Sequence, residues 1–285
     1  MNLDRIAVIG AGLMGAGIAQ VVSGAGHKVS LRDISTDLVN KSKERIDLNL
    51  KKLVEKGKIP REEAAEILER INFTQDLELA VKDADFVIEA IPENLALKQK
   101  IFGEIEDLAK PSAILASNTS ELSIASVAGG CSKKKRIIGT HWFFPPHIMK
   151  LIEVVISPET SRETLETTLS FCKDLGKETV VCKDAPGFIT SRAISAMIAE
   201  CLRIHEEGVA SIEDIDKAMR LGFNYPIGPF QLADMSGVDV VYHSLEALSK
   251  AFGERFKPTK TMSKLVTQGE LGRKTGKGFY EYGPK

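Results

Sequence analysis

Ile6-Ala7-Val8-Ile9-Gly10-Ala11-Gly12-Leu13-Met14-Gly15 is the stretch that decides the fold. Four consecutive apolar residues ended by glycine read as a short strand buried in a parallel sheet. Leu13 to Ser23 are helix-compatible, Gly24 and Gly26 stop the helix, and Lys28-Val29-Ser30-Leu31-Arg32-Asp33 reads as a second strand. Between strand and helix the glycines have the spacing G-x-G-x-x-G. Gly10 permits a tight turn, Gly12 lets backbone N–H groups approach a pyrophosphate, and Gly15 permits close helix–sheet packing. The helix N-terminus, opened by Leu13 and Met14, favours the negative charge. Asp33 closes the second strand, where a carboxylate accepts hydrogen bonds from adenosine ribose hydroxyls and repels a 2′-phosphate. That selects NAD over NADP, with the neighbouring Arg32 the one feature pulling the other way.

Outward from this unit, Thr36 to Arg70 are helical throughout, rich in Lys and Glu, and broken at Gly57 to Pro60. They predict a helical hairpin projecting from the sheet. Apolar strands return at residues 85–89, 113–117, 136–140, 151–156 and 179–182. A helix of Asn94 to Leu108 separates the first two of these. From Phe188 to about Gln268 the periodicity is helical, without a convincing strand. The expected fold is α/β: a Rossmann-type doubly wound sheet with a helical hairpin insertion, followed by an all-helical C-terminal domain. The boundary falls at Pro186, giving an NAD-binding domain over 1–185 and a helical substrate or dimerisation domain over 186–285.

The 285 residues can bury a large core, and 43% hydrophobic with 27% charged residues is globular composition. A formal charge of −1 gives no global attraction to nucleic acid or anionic lipid, so an anionic ligand has to be held by a local constellation. No run approaches the ~20 apolar residues that span a bilayer. The N-terminus does not read as a signal peptide, because Asp4 and Arg5 precede only a short apolar stretch. Cys131, Cys172, Cys182 and Cys201 are scattered without a C-x-x-C pair, which predicts free thiols in a reducing compartment, no bound metal, and a cytoplasmic protein.

Thr140-His141-Trp142 places a histidine at the end of an apolar strand, and Leu151-Ile152-Glu153-Val154-Val155 places one carboxylate inside another. A buried carboxylate needs a partner. The Pro145-Pro146 turn can bring the two strands side by side, so Glu153 is expected to pair with His141. A histidine suits loss of a hydroxyl proton as hydride leaves carbon, and a carboxylate behind it fixes the tautomer and stabilises the imidazolium. The alternative is a core histidine with an incidental ion pair. Ser117-Asn118-Thr119-Ser120-Glu121 follows a further strand, at the sheet edge where ligands of open α/β sheets bind. The same residues are also ordinary turn formers.

With these residues assembled, the chain resembles the L-3-hydroxyacyl-CoA dehydrogenases, particularly the short bacterial 3-hydroxybutyryl-CoA dehydrogenases. The resemblance runs through Gly10–Gln20, Glu89–Lys98, Ser117–Ser120, Met149–Val155, Lys183–Ile189, Tyr225–Asp234 and Gly272–Tyr280. It implies His141 as the base, Glu153 as its orienting partner, and Ser120 as a donor near the substrate oxygen and nicotinamide. By the same resemblance Asp33 takes the adenosine ribose, Glu93, Lys98 and Lys274 lie around the rest of the cofactor, and the chain is a homodimer through its helical domain. The basic helix with Lys51, Lys52 and Lys56 matches the region that meets the CoA phosphates, its alternative being a solvated helix face. Two positions depart from the family pattern. Phe144 stands where the family has asparagine after its aromatic pair, and Ser191 replaces the asparagine before Arg192. Phenylalanine offers no hydrogen bond, and serine only a shorter one. The expected activity is reversible NAD-dependent oxidation of an (S)-3-hydroxyacyl-CoA, with a free hydroxy acid of the sugar-acid or carnitine type as the alternative substrate. A cofactor-binding protein without catalysis would have lost His141 or Glu153, and both are present.

Overall fold

In the computed structural model, which describes residues 3–283, eight strands form one sheet. They are β1 (Arg5–Ile9), β2 (Lys28–Arg32), β3 (Ile71–Thr74), β4 (Phe86–Glu89), β5 (Ile114–Ser117), β6 (Ile137–Trp142), β7 (Leu151–Ile156) and β8 (Glu178–Lys183). Their order is β3-β2-β1-β4-β5-β6-β7-β8. Every neighbouring pair is parallel except β6 and β7. Chain order reverses between β1 and β4, which opens a crevice at the C-terminal ends of those strands. The central strands β4, β5 and β6 are buried at every residue, as parallel strands covered on both faces must be.

Helices α1 (Leu13–Gly24), α2 (Thr36–Glu55), α3 (Arg61–Glu69), α4 (Leu77–Val81), α5 (Leu95–Leu108), α6 (Ile124–Val127) and α7 (Arg162–Asp174) accompany the sheet. Ser35 caps α2 and Asn94 caps α5 by accepting the third-residue N–H. The expected hairpin is α2 and α3, but it does more than project. Ile46 and Leu50 of α2 and Ile67 of α3 enter the same core cluster as Ile18 and Val22 of α1. Sequence reading passed over β3. Its apolar residues are only Ile71, buried, and Phe73, half-buried, an alternation too short to stand out beside the helix before it, and its pairing with β2 makes it an edge.

The chain divides into two units between Ala185 and Pro186. The second is helical: α8 (Thr190–Glu206), α9 (Ile212–Phe223), α10 (Pro229–Ser236), α11 (Val238–Phe252) and α12 (Lys260–Thr267). Its own core gathers Ile198, Leu202, Ile215, Phe230, Leu245 and Met262. The buried carboxylate of Asp234 accepts from the backbone N–H of Phe279 and Tyr280 and from the Tyr282 hydroxyl, each at 2.9 Å, and so fastens the C-terminal segment to α10. Among the described residues no helix is long and apolar enough to cross a membrane.

Candidate active site

The glycine turn is built by the end of β1. Gly10 has φ +108°, and a Cβ there would collide with the Ala90 carbonyl after β4, so only glycine suits both conformation and space. A Cβ on Gly15 would collide with the Gly10 carbonyl oxygen, which explains the last glycine of the motif. Gly10 N–H donates to Arg32 O at 2.8 Å, and Ala11 N–H donates to Asp33 Oδ2 at 2.8 Å, stitching the turn to the end of β2. Gly12 caps α1 without a side-chain bond, leaving the first-turn N–H groups of the helix for an anion. A cavity of about 710 Å³ opens here, lined by Gly10, Gly12, Leu13, Met14 and Asp33 and closed by apolar groups from Ile34, Leu38, Leu97 and Ile101. A phosphate-accepting helix end, a ribose-accepting carboxylate and an apolar slot match the three parts of an adenine dinucleotide. The residues present therefore fit NAD. The apolar walls from α2 and α5 had no signal in the sequence, because they look like ordinary helix faces.

Next along the sheet edge lies a charged network between β4, β5 and α5. Glu89 and Lys98 are both buried, with Lys98 Nζ 2.6 Å from Glu89 Oε1. Lys98 Nζ also lies 3.2 Å from Glu93 Oε2 and donates to Ile91 O at 3.3 Å. Glu93 Oε1 accepts from the Thr119 hydroxyl and from the backbone N–H groups of Ser120 (3.2 Å) and Glu121 (3.3 Å). Burial pushes the Glu89 carboxyl above the usual carboxylate range, against the pull of Lys98, Ser117 and the Ile91 N–H. The resemblance implies Glu93 and Lys98 around the cofactor and Ser120 near the substrate; the structure joins all three through Glu93 and adds Glu89. A carboxylate ending the apolar run Phe86-Val87-Ile88 is the same signal that singled out Glu153, and it would have found Glu89.

β6 and β7 supply the histidine and its partner. They pair antiparallel with His141 directly opposite Glu153, which puts both side chains on one face. His141 Nδ1 and Glu153 Oε2 are 2.6 Å apart, Glu153 is wholly buried, and His141 is 7% exposed. With the carboxylate ionised, Nδ1–H donates and Nε2 is left as the basic nitrogen. Asn118 Oδ1 accepts from Trp142 N–H at 3.0 Å, tying the loop after β5 to the residue after His141. Because β1, β4, β5 and β6 are parallel, Gly10, Glu93, Ser120 and His141 share one edge of the sheet.

Two further residues hold the Pro145-Pro146 turn. Lys177 Nζ donates to Pro146 O (2.6 Å) and Met149 O (2.7 Å), and a Cβ on Gly17 of α1 would stand 2.8 Å from Pro146 Cδ. The cofactor-loop helix thus abuts the turn that joins His141 to Glu153. Neither contact is visible from sequence, since both join distant segments. Phe144 is exposed. Lys52 and Lys56 are exposed near the C-terminal end of α2, and Lys51 there is paired with Asp47 at 2.6 Å. Ser191 and Lys274 belong to the second unit. Ser191 stands in the first turn of α8, and Lys274 Nζ is held at 2.6 Å by both oxygens of Asp239.

Residues 5–185 match the 3-hydroxyacyl-CoA dehydrogenase NAD binding domain, and residues 187–282 match the 3-hydroxyacyl-CoA dehydrogenase C-terminal domain. A mitochondrial hydroxyacyl-coenzyme A dehydrogenase of Rattus norvegicus is 43% identical, over 98% of this chain and 91% of its own length. A 3-hydroxybutyryl-CoA dehydrogenase of Clostridioides difficile is 40% identical, over 98% of this chain and 99% of its own. Among solved structures, an (S)-3-hydroxybutyryl-CoA dehydrogenase of Ralstonia eutropha superposes with a TM-score of 0.96 at 38% identity, covering 99% of this chain and all of its own.

Proposed function

The chain belongs to the 3-hydroxyacyl-CoA dehydrogenase family, and from that premise we propose that His141, oriented by Glu153, is the acid–base residue of its reaction. It is an NAD-dependent oxidoreductase that interconverts (S)-3-hydroxyacyl-CoA and 3-ketoacyl-CoA, of the 3-hydroxybutyryl-CoA type. The observation that carries the reading of His141 is the buried 2.6 Å contact between its Nδ1 and Glu153 Oε2.

In the oxidation direction, His141 Nε2 takes the proton of the 3-hydroxyl. The positive charge that develops on the ring is stabilised by Glu153, which also keeps the proton on Nδ1. Bound NAD supplies the hydride acceptor. Ser120 donates a hydrogen bond to the reacting oxygen, and Ser191 serves as a further hydrogen-bonding group for the substrate. Asp33 accepts from the adenosine ribose, the amides opened by Gly12, Leu13 and Met14 hold the pyrophosphate, and Glu93, Lys98 and Lys274 complete the cofactor's surroundings. Lys52 and Lys56 meet the CoA phosphates; their exposure leaves both ammonium groups accessible. In reduction His141 returns the proton to the keto oxygen.

The same proposal makes residues 1–185 the cofactor domain and 186–285 a substrate and dimerisation domain. Exposed Leu221, Phe223, Met235 and Val240 on the helical unit support a homodimer. The proposal also makes the chain a cytoplasmic enzyme, a reading that its four free cysteines support.

The test is NADH oxidation with acetoacetyl-CoA, beside free acetoacetate and a His141→Ala control. Turnover of the thioester alone, abolished by the substitution, is expected. Turnover of the free acid in preference would transfer the assignment to a hydroxy acid and make Phe144 and Ser191 its determinants. Full activity in His141→Ala would remove the histidine from the mechanism.

A further inference from the structure

We propose that Glu89 is a positioning residue for the reaction, acting at a distance to set the loop that presents Ser120. Its carboxylate has no exposed surface and spends both oxygens inside the protein. Oε1 accepts from Lys98 Nζ at 2.6 Å and Ile91 N–H at 2.8 Å, and Oε2 accepts from Ser117 Oγ at 2.7 Å. Two routes then run from this one group to the loop. Through Ser117, whose Oγ also accepts from Thr119 N–H at 3.3 Å, Glu89 holds the start of the loop. Through Lys98, it steadies Glu93, and Glu93 Oε1 collects the Thr119 hydroxyl and the Ser120 and Glu121 amides.

The ammonium of Lys98 has three protons and three acceptors, Glu89, Glu93 and Ile91 O. Its influence on the site therefore passes through Glu93. A buried ion pair adds little stability over an apolar pair of the same volume, but it fixes geometry, because each member is held only where every donor meets an acceptor. Here the geometry so fixed is that of three consecutive residues, Thr119 to Glu121, beside the crevice between β1 and β4.

The inference rests on the proposed role of Ser120, so the experiment separates the two. Wild type, Glu89→Gln, Glu89→Gln/Lys98→Met, Ser120→Ala and Glu89→Gln/Ser120→Ala are compared in Tm, in KM for acetoacetyl-CoA and NADH, and in kcat. In Glu89→Gln, kcat is expected to fall about ten- to a hundredfold, the range of a displacement well under 1 Å to about 1 Å in a reacting group, with the KM for acetoacetyl-CoA little changed. Adding Lys98→Met removes the buried ammonium that has lost its nearest counter-charge and restores Tm but not kcat. Glu89→Gln is expected to add nothing to the loss already caused by Ser120→Ala. An unchanged kcat in folded Glu89→Gln, a kcat that recovers together with Tm in the double variant, or additive losses would each overturn the proposal. If Ser120→Ala leaves kcat intact, the role of Ser120 is what fails. Hydrogen exchange at the Ser120 and Glu121 amides then decides the relay by itself: acceleration in Glu89→Gln upholds it, and unchanged exchange overturns it.

Discussion

Replacing Glu153 by glutamine isolates the electrostatic half of the His141 pair. Glutamine has nearly the same shape, and its carbonyl can accept from Nδ1–H, so ring orientation survives while the negative charge is lost. The carboxylate sits 2.6 Å from Nδ1 with no exposed surface. Charge centres on a carboxylate and an imidazolium in such contact are roughly 4 Å apart, where unit charges attract by about 4 kcal/mol at an effective dielectric near 20. Only the charged ring formed during proton transfer feels this attraction, so it stabilises the transition state more than the ground state. Losing it predicts a fall in kcat of about three orders of magnitude. The assay is NADH formation from (S)-3-hydroxybutyryl-CoA at saturating NAD, with thermal unfolding run in parallel to show that the variant is folded. A folded Glu153→Gln within about threefold of wild-type kcat, or a loss lying wholly in KM, would refute the reasoning, because uniform binding and not transition-state charge would then be what Glu153 provides.

Asp33→Ala removes the acceptor of the Ala11 and Ser35 amides together with the carboxylate charge; the KM for NAD should rise about ten- to a hundredfold, the worth of one charged hydrogen bond, and preference over NADP should narrow, so unchanged discrimination would count against the ribose role. Gly15→Ala drives a methyl into the Gly10 carbonyl, and NADH fluorescence titration should show binding lost; retained affinity would contradict the packing argument. Burial pushes the Cys131 and Cys172 thiols up to about 12 and the Cys182 and Cys201 thiols to about 11. At mildly alkaline pH the folded enzyme should therefore resist a thiolate-directed disulfide reagent and the unfolded chain should react at all four, a fast-reacting native thiol being the contrary result. Burial alone would raise the Asp85 carboxyl, but Lys110 and the Arg5 and Asp4 amides outweigh it and hold it below the usual range. A lowered carboxyl contributes stability present above its unfolded pKa and lost as pH falls through the folded one. The gap in denaturation midpoint between wild type and Asp85→Asn should thus be full at neutral pH and close below about pH 4, and a gap independent of pH would exclude this origin.

What the sequence by itself determined is whatever local pattern can carry. Short apolar runs located seven of the strands, most plainly β4, β5 and β6, since burial on both faces demands consecutive apolar residues. The glycine spacing identified the turn, because no other residue tolerates the conformation of Gly10 or the contact at Gly15. His141 and Glu153 were legible for a similar reason: a charge inside an apolar strand must be answered by a partner, and a short turn between the strands limits the choice. β3 escaped because an edge strand with one buried residue looks like a loop. Only the tertiary structure decided which distant groups share a volume. The bonds of Ser117 to Glu89 and of Thr119 to Glu93, Lys177 on the Pro146 and Met149 carbonyls, and Gly17 against Pro146 each join segments whose proximity is set by strand order and helix packing. Lys98 makes the distinction plain. In sequence it is one more lysine on an amphipathic helix, and in the fold it is fully buried, because the end of β4 and the segment after it surround its ammonium with Glu89, Ile91 O and Glu93.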